Sequence, residues 1–294
     1  VSTSGDSAAS DDVWTIRRVL TWSADDLRKR GSTSPRLDAE LLLGRVLKMD
    51  RIGLLLDADR PLARAELTAY RELHTRRRQG EPVAYLLGVR EFYGRPFRVD
   101  RRVLIPRPDT EILVEVALER TRHVSLCARV LDLCTGSGCV AISLARERPT
   151  TRVLGSDISE GALVVAVENS IRLGAVNCGF VRSDLFAAFR SERFDLITGN
   201  PPYIAEPEIP TLAVDIRGYE PHLALTGGPE GLDVVRRIVA EAAAHLTEGG
   251  VLALEVGADQ GEATRALFAA AGFREIDTRR DYGGHERVVS GIRP

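Results

Sequence analysis

The sequence predicts an α/β protein with a seven-stranded, mostly parallel sheet whose last strand is antiparallel, preceded by a small helical bundle. Three observations carry this. Up to about residue 87 the apolar residues recur at helical spacing and no β-rich segment intervenes. From residue 104 onward strand-like and helix-like runs alternate, the pattern of a parallel sheet covered on both faces. The last two strand-like runs are joined by "DYGGHE", residues 281–286, too short for a parallel crossover, so they must pair antiparallel.

Taken in order, residues 1–12 are polar and slightly acidic and lack the basic and apolar regions of a signal peptide, so they read as a disordered tail. Residues 13–87 read as a helical domain. Its first helix carries Val13, Ile16, Val19, Leu20 and Leu27 on one face and ends at a glycine, Gly31. A second opens at Ser34-Pro35, a capping residue followed by proline at the first helical position. A third runs through "LARAELTAYRELHTRRRQG" to Gly80. Residues 88–103 read as a hairpin connector that turns at Tyr93-Gly94.

Residues 104–294 form the second domain. A helix in "PRPDTEILVEVALER" leads into strands at 129–133, 152–156, 178–182, 194–199, 250–256, 273–279 and 287–292. Helices are expected at about 139–148, 159–173, 230–247 and 261–271.

Composition narrows the function. The net charge of −2 argues against a bulk nucleic-acid binder, and no apolar run approaches a membrane span. Cys127, Cys134, Cys139 and Cys178 form no CxxC pair and the five histidines are scattered, so no structural metal site is expected. Without an export signal these thiols are expected to be reduced, which places the protein in the cytoplasm.

"VLDLCTGSGCVAISLA", residues 130–145, reads as strand, small-residue loop and helix. Gly136-Ser137-Gly138 allows a tight turn and close approach of a ligand, and the following helix offers free N–H groups. Asp157 closes the next strand in "RVLGSDIS", placed to accept hydrogen bonds from ribose hydroxyls. Because "GSGCVA" also satisfies the G-x-G-x-x-A fingerprint, a nicotinamide cofactor stays open at this loop. Ser183-Asp184-Leu185 closes the third strand, where an acid can accept from an adenine amino group while Leu185 packs on the ring.

The fourth strand runs into Asn200-Pro201-Pro202-Tyr203 at the edge of the sheet where ligands bind in open α/β folds. A planar NH₂ group is a poor nucleophile because its lone pair is delocalised. Acceptors that hold its N–H bonds can align that lone pair with an electrophile. The Asn200 side-chain oxygen and the Pro201 carbonyl, stiffened by successive prolines, suit that task. Tyr203 can lie against the substrate plane and face a sulfonium methyl. The set suits methyl transfer to an amide or exocyclic amine.

"VLDLCTGSG", "GSDIS", "RSDLF" and "GNPPY" resemble the successive motifs of class I, Rossmann-like methyltransferases that use S-adenosylmethionine. "LDAELLL", "EPVAYLLGVREFYG", "LIPRPDTEILVE", "YEPHLAL", "DQGEATRALFAAAGF" and "DYGGHERVV" extend the resemblance, over nearly the whole chain, to the PrmC/HemK family of release-factor glutamine methyltransferases. The resemblance implies a protein substrate, the GGQ glutamine of peptide chain release factors, with no nucleic acid, membrane or metal involved. It implies that Cys134, Thr135, Gly136, Ser137 and Gly138 hold the methionine end of the cofactor, Asp157 the ribose, and Asp184 with Leu185 the adenine. Asn200, Pro201, Pro202 and Tyr203 would hold the glutamine, with Asn200 also touching the cofactor. Phe92, Arg107, Thr110 and Glu111 lie in matching segments and are expected near the ligands, without assigned roles. Cys134 stands where the family often has glycine, which implies a position with no need of a positive φ.

Three other functions share part of this pattern. Adenine-N6 nucleic-acid methyltransferases share Asn-Pro-Pro-Tyr but need a target-recognition region and a basic face, and here the rest of the sheet takes up the residues after Tyr203. A sister family that methylates a ribosomal-protein glutamine shares the loop but lacks the "IPRPDTE" run. A non-catalytic nucleotide-binding module would not need the intact Asn200–Tyr203 cradle.

Overall fold

The computed structural model describes residues 13–123 and 127–294, so the expected tail over 1–12 lies outside the described residues. The chain divides into two compact units, one ending at Leu87 and the other spanning Gly88–Pro294.

The first unit holds α1 (Ile16–Lys29), α2 (Pro35–Leu47), α3 (Arg51–Leu56), α4 (Arg64–Arg78) and α5 (Val83–Leu87). Ile16, Leu20, Leu42, Leu43, Leu54 and Tyr70 form its core, and the Tyr70 hydroxyl donates to Ser23 Oγ at 2.5 Å. Helix α2 opens at Pro35, yet Ser34 makes no side-chain capping bond. Instead Ser32 Oγ accepts from Ser34 N at 3.2 Å and donates to Asp38. Helices α3 and α5 are too short to show periodicity in sequence. The first of them begins because Asp50 accepts the Gly53 N–H at 2.7 Å.

The second unit begins with β1 (Val89–Phe92) and β2 (Arg95–Arg98), an antiparallel hairpin whose two central residues, Tyr93 and Gly94, both have positive φ (50° and 67°). That is the pair of left-handed residues a two-residue hairpin turn requires. Residues 88–103, read from sequence as a separate connector, are built into this unit. Phe92 and Phe97 are buried in its core, and the Asn169 side chain bonds both the N–H and the carbonyl of Arg98 (2.7 and 3.0 Å).

The unit continues with α6 (Glu111–Arg120), β3 (Arg129–Leu133), α7 (Cys139–Glu147), β4 (Arg152–Asp157), α8 (Glu160–Leu173), β5 (Cys178–Arg182), β6 (Phe194–Gly199), α9 (Val214–Arg217), α10 (Asp233–His245), β7 (Leu246–Glu255), α11 (Gly261–Ala270), β8 (Arg274–Arg280) and β9 (Glu286–Ile292). The strands form one seven-stranded sheet in the order β5-β4-β3-β6-β7-β9-β8, with β9 antiparallel to both neighbours. Two apolar clusters cover its faces. Strand β7 starts at Leu246 rather than 250, because a register shift between the Phe194–Leu246 and Leu196–Val251 pairs absorbs the intervening glycines.

The order reverses between β3 and β6: the chain builds β4 and β5 on one side of β3, then returns to lay β6 on the other. A crevice therefore opens beyond the carboxyl ends of those two strands. All four cysteines are free, and among the described residues no helix is long and apolar enough to cross a membrane and no His/Cys/Asp/Glu group is arranged for a metal ion.

Candidate active site

Strand β3 delivers Asp132 to the crevice, and after Leu133, which is buried in the core, the next five residues turn sharply into α7. The turn uses three left-handed residues, Cys134 (φ 53°), Gly136 (φ 54°) and Gly138 (φ 80°). The expectation that Cys134 needs no positive φ is therefore corrected. The conformation brings Thr135 N onto the carbonyl of Ser156 in β4 (2.9 Å) and Gly138 N onto Thr135 O (2.8 Å). A cysteine held this way costs about 1–2 kcal/mol that glycine would not. Burial among Asp157, Asp132 and Asp184 pushes its thiol well above the usual range, so it is no nucleophile.

Three carboxylates surround this turn. Asp132, 1% exposed, accepts from Thr135 Oγ1 (2.6 Å) and Thr198 Oγ1 (2.8 Å), and burial pushes it up to about 6. Asp157, at the end of β4, accepts the N–H groups of Gly136 and Ser159, both at 2.9 Å. Burial raises its pKa while those N–H groups oppose the rise. Each oxygen keeps lone-pair capacity for a ligand. Asp184 is gripped by Arg237 of α10, whose Nη2 donates to both carboxylate oxygens (3.0 and 2.9 Å).

Strand β6 ends at Gly199, which pairs with Leu133 on one side and Leu254 on the other, so Asn200 emerges at the centre of the crevice. Its Nδ2 donates to Thr110 Oγ1 at 3.2 Å. With the NH₂ end committed, Oδ1 is the end left for a ligand. The turn that follows is anchored from behind: Gln260 Nε2 donates to Tyr203 O (2.9 Å) and Gly231 O (3.3 Å), while its Oε1 accepts from Gly257 N (3.0 Å). Ile204 then bridges to Thr226.

A cavity of about 240 Å³ brings together Cys134, Thr135, Gly136, Ser137, Asp157, Asp184, Leu185, Asn200 and Pro202. Gly138, Pro201 and Tyr203 are not on its wall. Gly138 caps α7, where an added Cβ would meet Ile142 at 2.9 Å, and Pro201 is buried. Arg107 and Thr110 also line it. Phe92 is a core residue, and Glu111 accepts the Tyr93 N–H (2.8 Å) to hold the hairpin turn.

Several contributors escaped the sequence. Arg237 lies 53 positions after Asp184 in a plain amphipathic helix. Glu220, nearly buried, bonds Arg107 at 2.6 Å and the Ile105 N–H at 3.2 Å, tying "PRPDTE" to "YEPHLAL" across the cavity mouth. Both segments stand out in the sequence, but nothing in either names the other as partner.

The wall suits a cationic nucleoside. It carries three carboxylates, Ser137 Oγ is buried without a hydrogen-bond partner, and Val140, Leu185 and Val234 supply apolar surface.

The PrmC N-terminal domain family matches residues 18–88 and the methyltransferase small domain family residues 108–215. The chain is 43% identical to the release factor glutamine methyltransferase of Geobacter sulfurreducens over 280 residues, 95% of this chain and 97% of that one. It is 45% identical to the release factor glutamine methyltransferase of Bordetella pertussis over 259 residues (87% and 94%). Its fold is similar to that of the Thermus thermophilus 16S rRNA N2 G1207 methyltransferase in complex with AdoMet and guanosine. That likeness has a TM-score of 0.51 and 20% identity, and it covers 70% of this chain and 50% of that one.

Proposed function

The chain belongs to the release factor glutamine methyltransferase family, and on that premise we propose that Asn200 Oδ1 and the Pro201 carbonyl hold the substrate amide for methyl transfer. The reaction moves a methyl group from S-adenosylmethionine to the side-chain amide nitrogen of the glutamine in the GGQ tripeptide of peptide chain release factors. The cofactor, when bound, supplies an electrophilic methyl on a sulfonium.

This chain's residues do the rest. The loop from Cys134 to Gly138 and the buried Asp132 favour a cation at the methionine end. Asp157 accepts from the ribose, and Asp184, oriented by Arg237, accepts from the adenine amino group while Leu185 packs on the ring. Asn200 Oδ1 is the observation that carries the assignment: its own NH₂ is held by Thr110, which aims the acceptor end at the substrate. Accepting both substrate N–H bonds turns the nitrogen lone pair toward the methyl. No general base is needed, because the product amide loses its proton after transfer. Pro202 walls the substrate end, and Tyr203, anchored through its carbonyl, fixes the end of the turn.

The net charge of −2 favours a protein over a nucleic acid as substrate. Release factors act in the cytoplasm, and we place the enzyme there. Labelled S-adenosylmethionine, offered with release factor, ribosomal protein and RNA, tests the assignment. Label mapped by mass to the GGQ glutamine is the expected result, and label confined to ribosomal protein or RNA overturns it.

Asp157→Ala is expected to weaken cofactor binding by about 1–3 kcal/mol, the scale of a buried charged hydrogen bond lost. The same change leaves the Gly136 and Ser159 N–H groups without their acceptor. Calorimetry with S-adenosylmethionine measures it, and unchanged affinity removes Asp157 from the ribose site.

The helical unit through Leu87 is assigned to recognition of the release factor. A chain that begins at Gly88 is expected to bind the cofactor normally and lose efficiency on intact release factor. Unchanged kcat/KM after that truncation sinks the division of labour.

A further inference from the structure

One buried acid in the Gly88–Pro294 unit has no part in the mechanism above. Glu255 ends β7, one step past the Gly199–Leu254 pair, and so stands beside Asn200 at the same edge of the sheet. It is 1% exposed, and its Oε2 has no hydrogen-bond partner. A carboxyl group in such a place is costly unless the site uses it. Burial pushes its pKa up to about 7, and the Thr110 and Asn200 side chains beside it work against that rise. The other charged or titratable groups that face it are Arg287 of β9, Asp109 next to Thr110, Tyr203, and the Cys139 thiol at the start of α7. Arg287 is already engaged by Asp281 (2.8 Å) and Asp109 (3.5 Å).

Resting on the assignment of Asn200 as the acceptor for the substrate amide, we propose that Glu255 is a positioning residue that acts through the Thr110 hydroxyl to fix which end of the Asn200 amide faces the substrate. Thr110 Oγ1 accepts from Asn200 Nδ2. A hydroxyl has one hydrogen to give, and an ionised carboxylate can only accept. Ionised Glu255 therefore draws the Thr110 hydrogen to itself, keeps the Thr110 lone pair toward Asn200 Nδ2, and leaves Asn200 Oδ1 toward the substrate N–H. Protonated Glu255 becomes a donor. The Thr110 hydrogen is then free to turn to Asn200 Oδ1, and the flipped amide sets its NH₂ against the substrate NH₂, donor against donor.

The sign follows. Turnover depends on the ionised form, so the single-turnover rate at saturating cofactor and release factor rises with pH through the titration of Glu255 and levels off above it.

The experiment compares wild type, Glu255→Gln, Thr110→Ser, Thr110→Val and Asn200→Ala as full-length enzymes. Single-turnover pH profiles are recorded with release factor as methyl acceptor, and cofactor Kd by calorimetry. Glu255→Gln is expected to abolish the rising limb. Its plateau should fall about tenfold or more, the scale for losing a group that orients a reacting side chain, because a neutral amide offers Thr110 a donor as readily as an acceptor. Its cofactor Kd should stay within about twofold. Should Glu255→Gln not fold, Thr110→Ser is expected to keep the limb and Thr110→Val to lose it. A wild-type limb in Glu255→Gln, or identical profiles for the two Thr110 variants, overturns the inference while an inactive Asn200→Ala leaves the assignment of Asn200 standing. A fully active Asn200→Ala overturns both.

Discussion

Replacing Asn200 with alanine is expected to slow methyl transfer at least about a hundredfold, the scale for losing one preorganised polar contact at a reacting centre. The fold should tolerate the change. What is lost is the 3.2 Å contact to Thr110 Oγ1 and the neighbouring polar contact with Glu255, and Asn200 is only partly buried. The other groups assigned to the cofactor sit in the loop after β3, at the end of β4 and in the turn after β5, so most of the cofactor affinity should remain. Asn200→Asp separates geometry from charge. It keeps an acceptor oxygen but gives up the donor to Thr110, and it sets a second carboxylate beside Glu255, already raised by burial. The added charge should strengthen binding of a cation in the ground state and so recover little of the rate. Rapid-quench single-turnover methylation reads both variants. A near-normal rate for Asn200→Ala would show that the Asn-Pro-Pro-Tyr stretch is a structural turn.

What the sequence could show depended on whether a feature lay along the chain or across it. The strands at 129–133 and 194–199 were visible as apolar runs, and the short link between β8 and β9 dictated their antiparallel pairing. Cys134 was misjudged because a side chain does not announce its φ. The left-handed turn is imposed by the bond from Thr135 N to Ser156 O, on a strand reached only after α7. Glu255 is one residue among others in the expected strand over 250–256, and only the placement of β7 against β6 sets it beside Asn200. The grip of Arg237 on Asp184 was hidden for the same reason. Local chemistry was legible; the partners that orient it came from the sheet order.

Gly231→Ala, at a position with no assigned contact of its own to cofactor or substrate, is expected to impair turnover nearly as severely as the loss of Asn200. Gly231 has φ 74°, and an added Cβ would lie 2.3 Å from Tyr203 O and 2.7 Å from Gln260 Nε2. The left-handed backbone alone costs about 1–2 kcal/mol for a residue with a Cβ. The clash cannot be relieved by a side-chain rotation, because the nearest atom is backbone and Gln260 is held by Gly257 N and Gly231 O as well as by Tyr203. The Asn200–Tyr203 turn must therefore move. A displacement near 1 Å at a reacting centre costs on the order of a hundredfold in rate. Cofactor affinity should hold, since Asp157 and the loop after β3 touch neither residue. Gly249→Ala supplies the control: its φ of 73° carries the same backbone cost, yet nothing lies within 4 Å of the added Cβ. Single-turnover rates, cofactor Kd and melting temperature for the two variants separate the contributions. Similar destabilisation of both, with turnover lost only in Gly231→Ala, is the expected result. Equal turnover in the two would mean that the position of the Asn200 turn does not depend on its packing against Gly231.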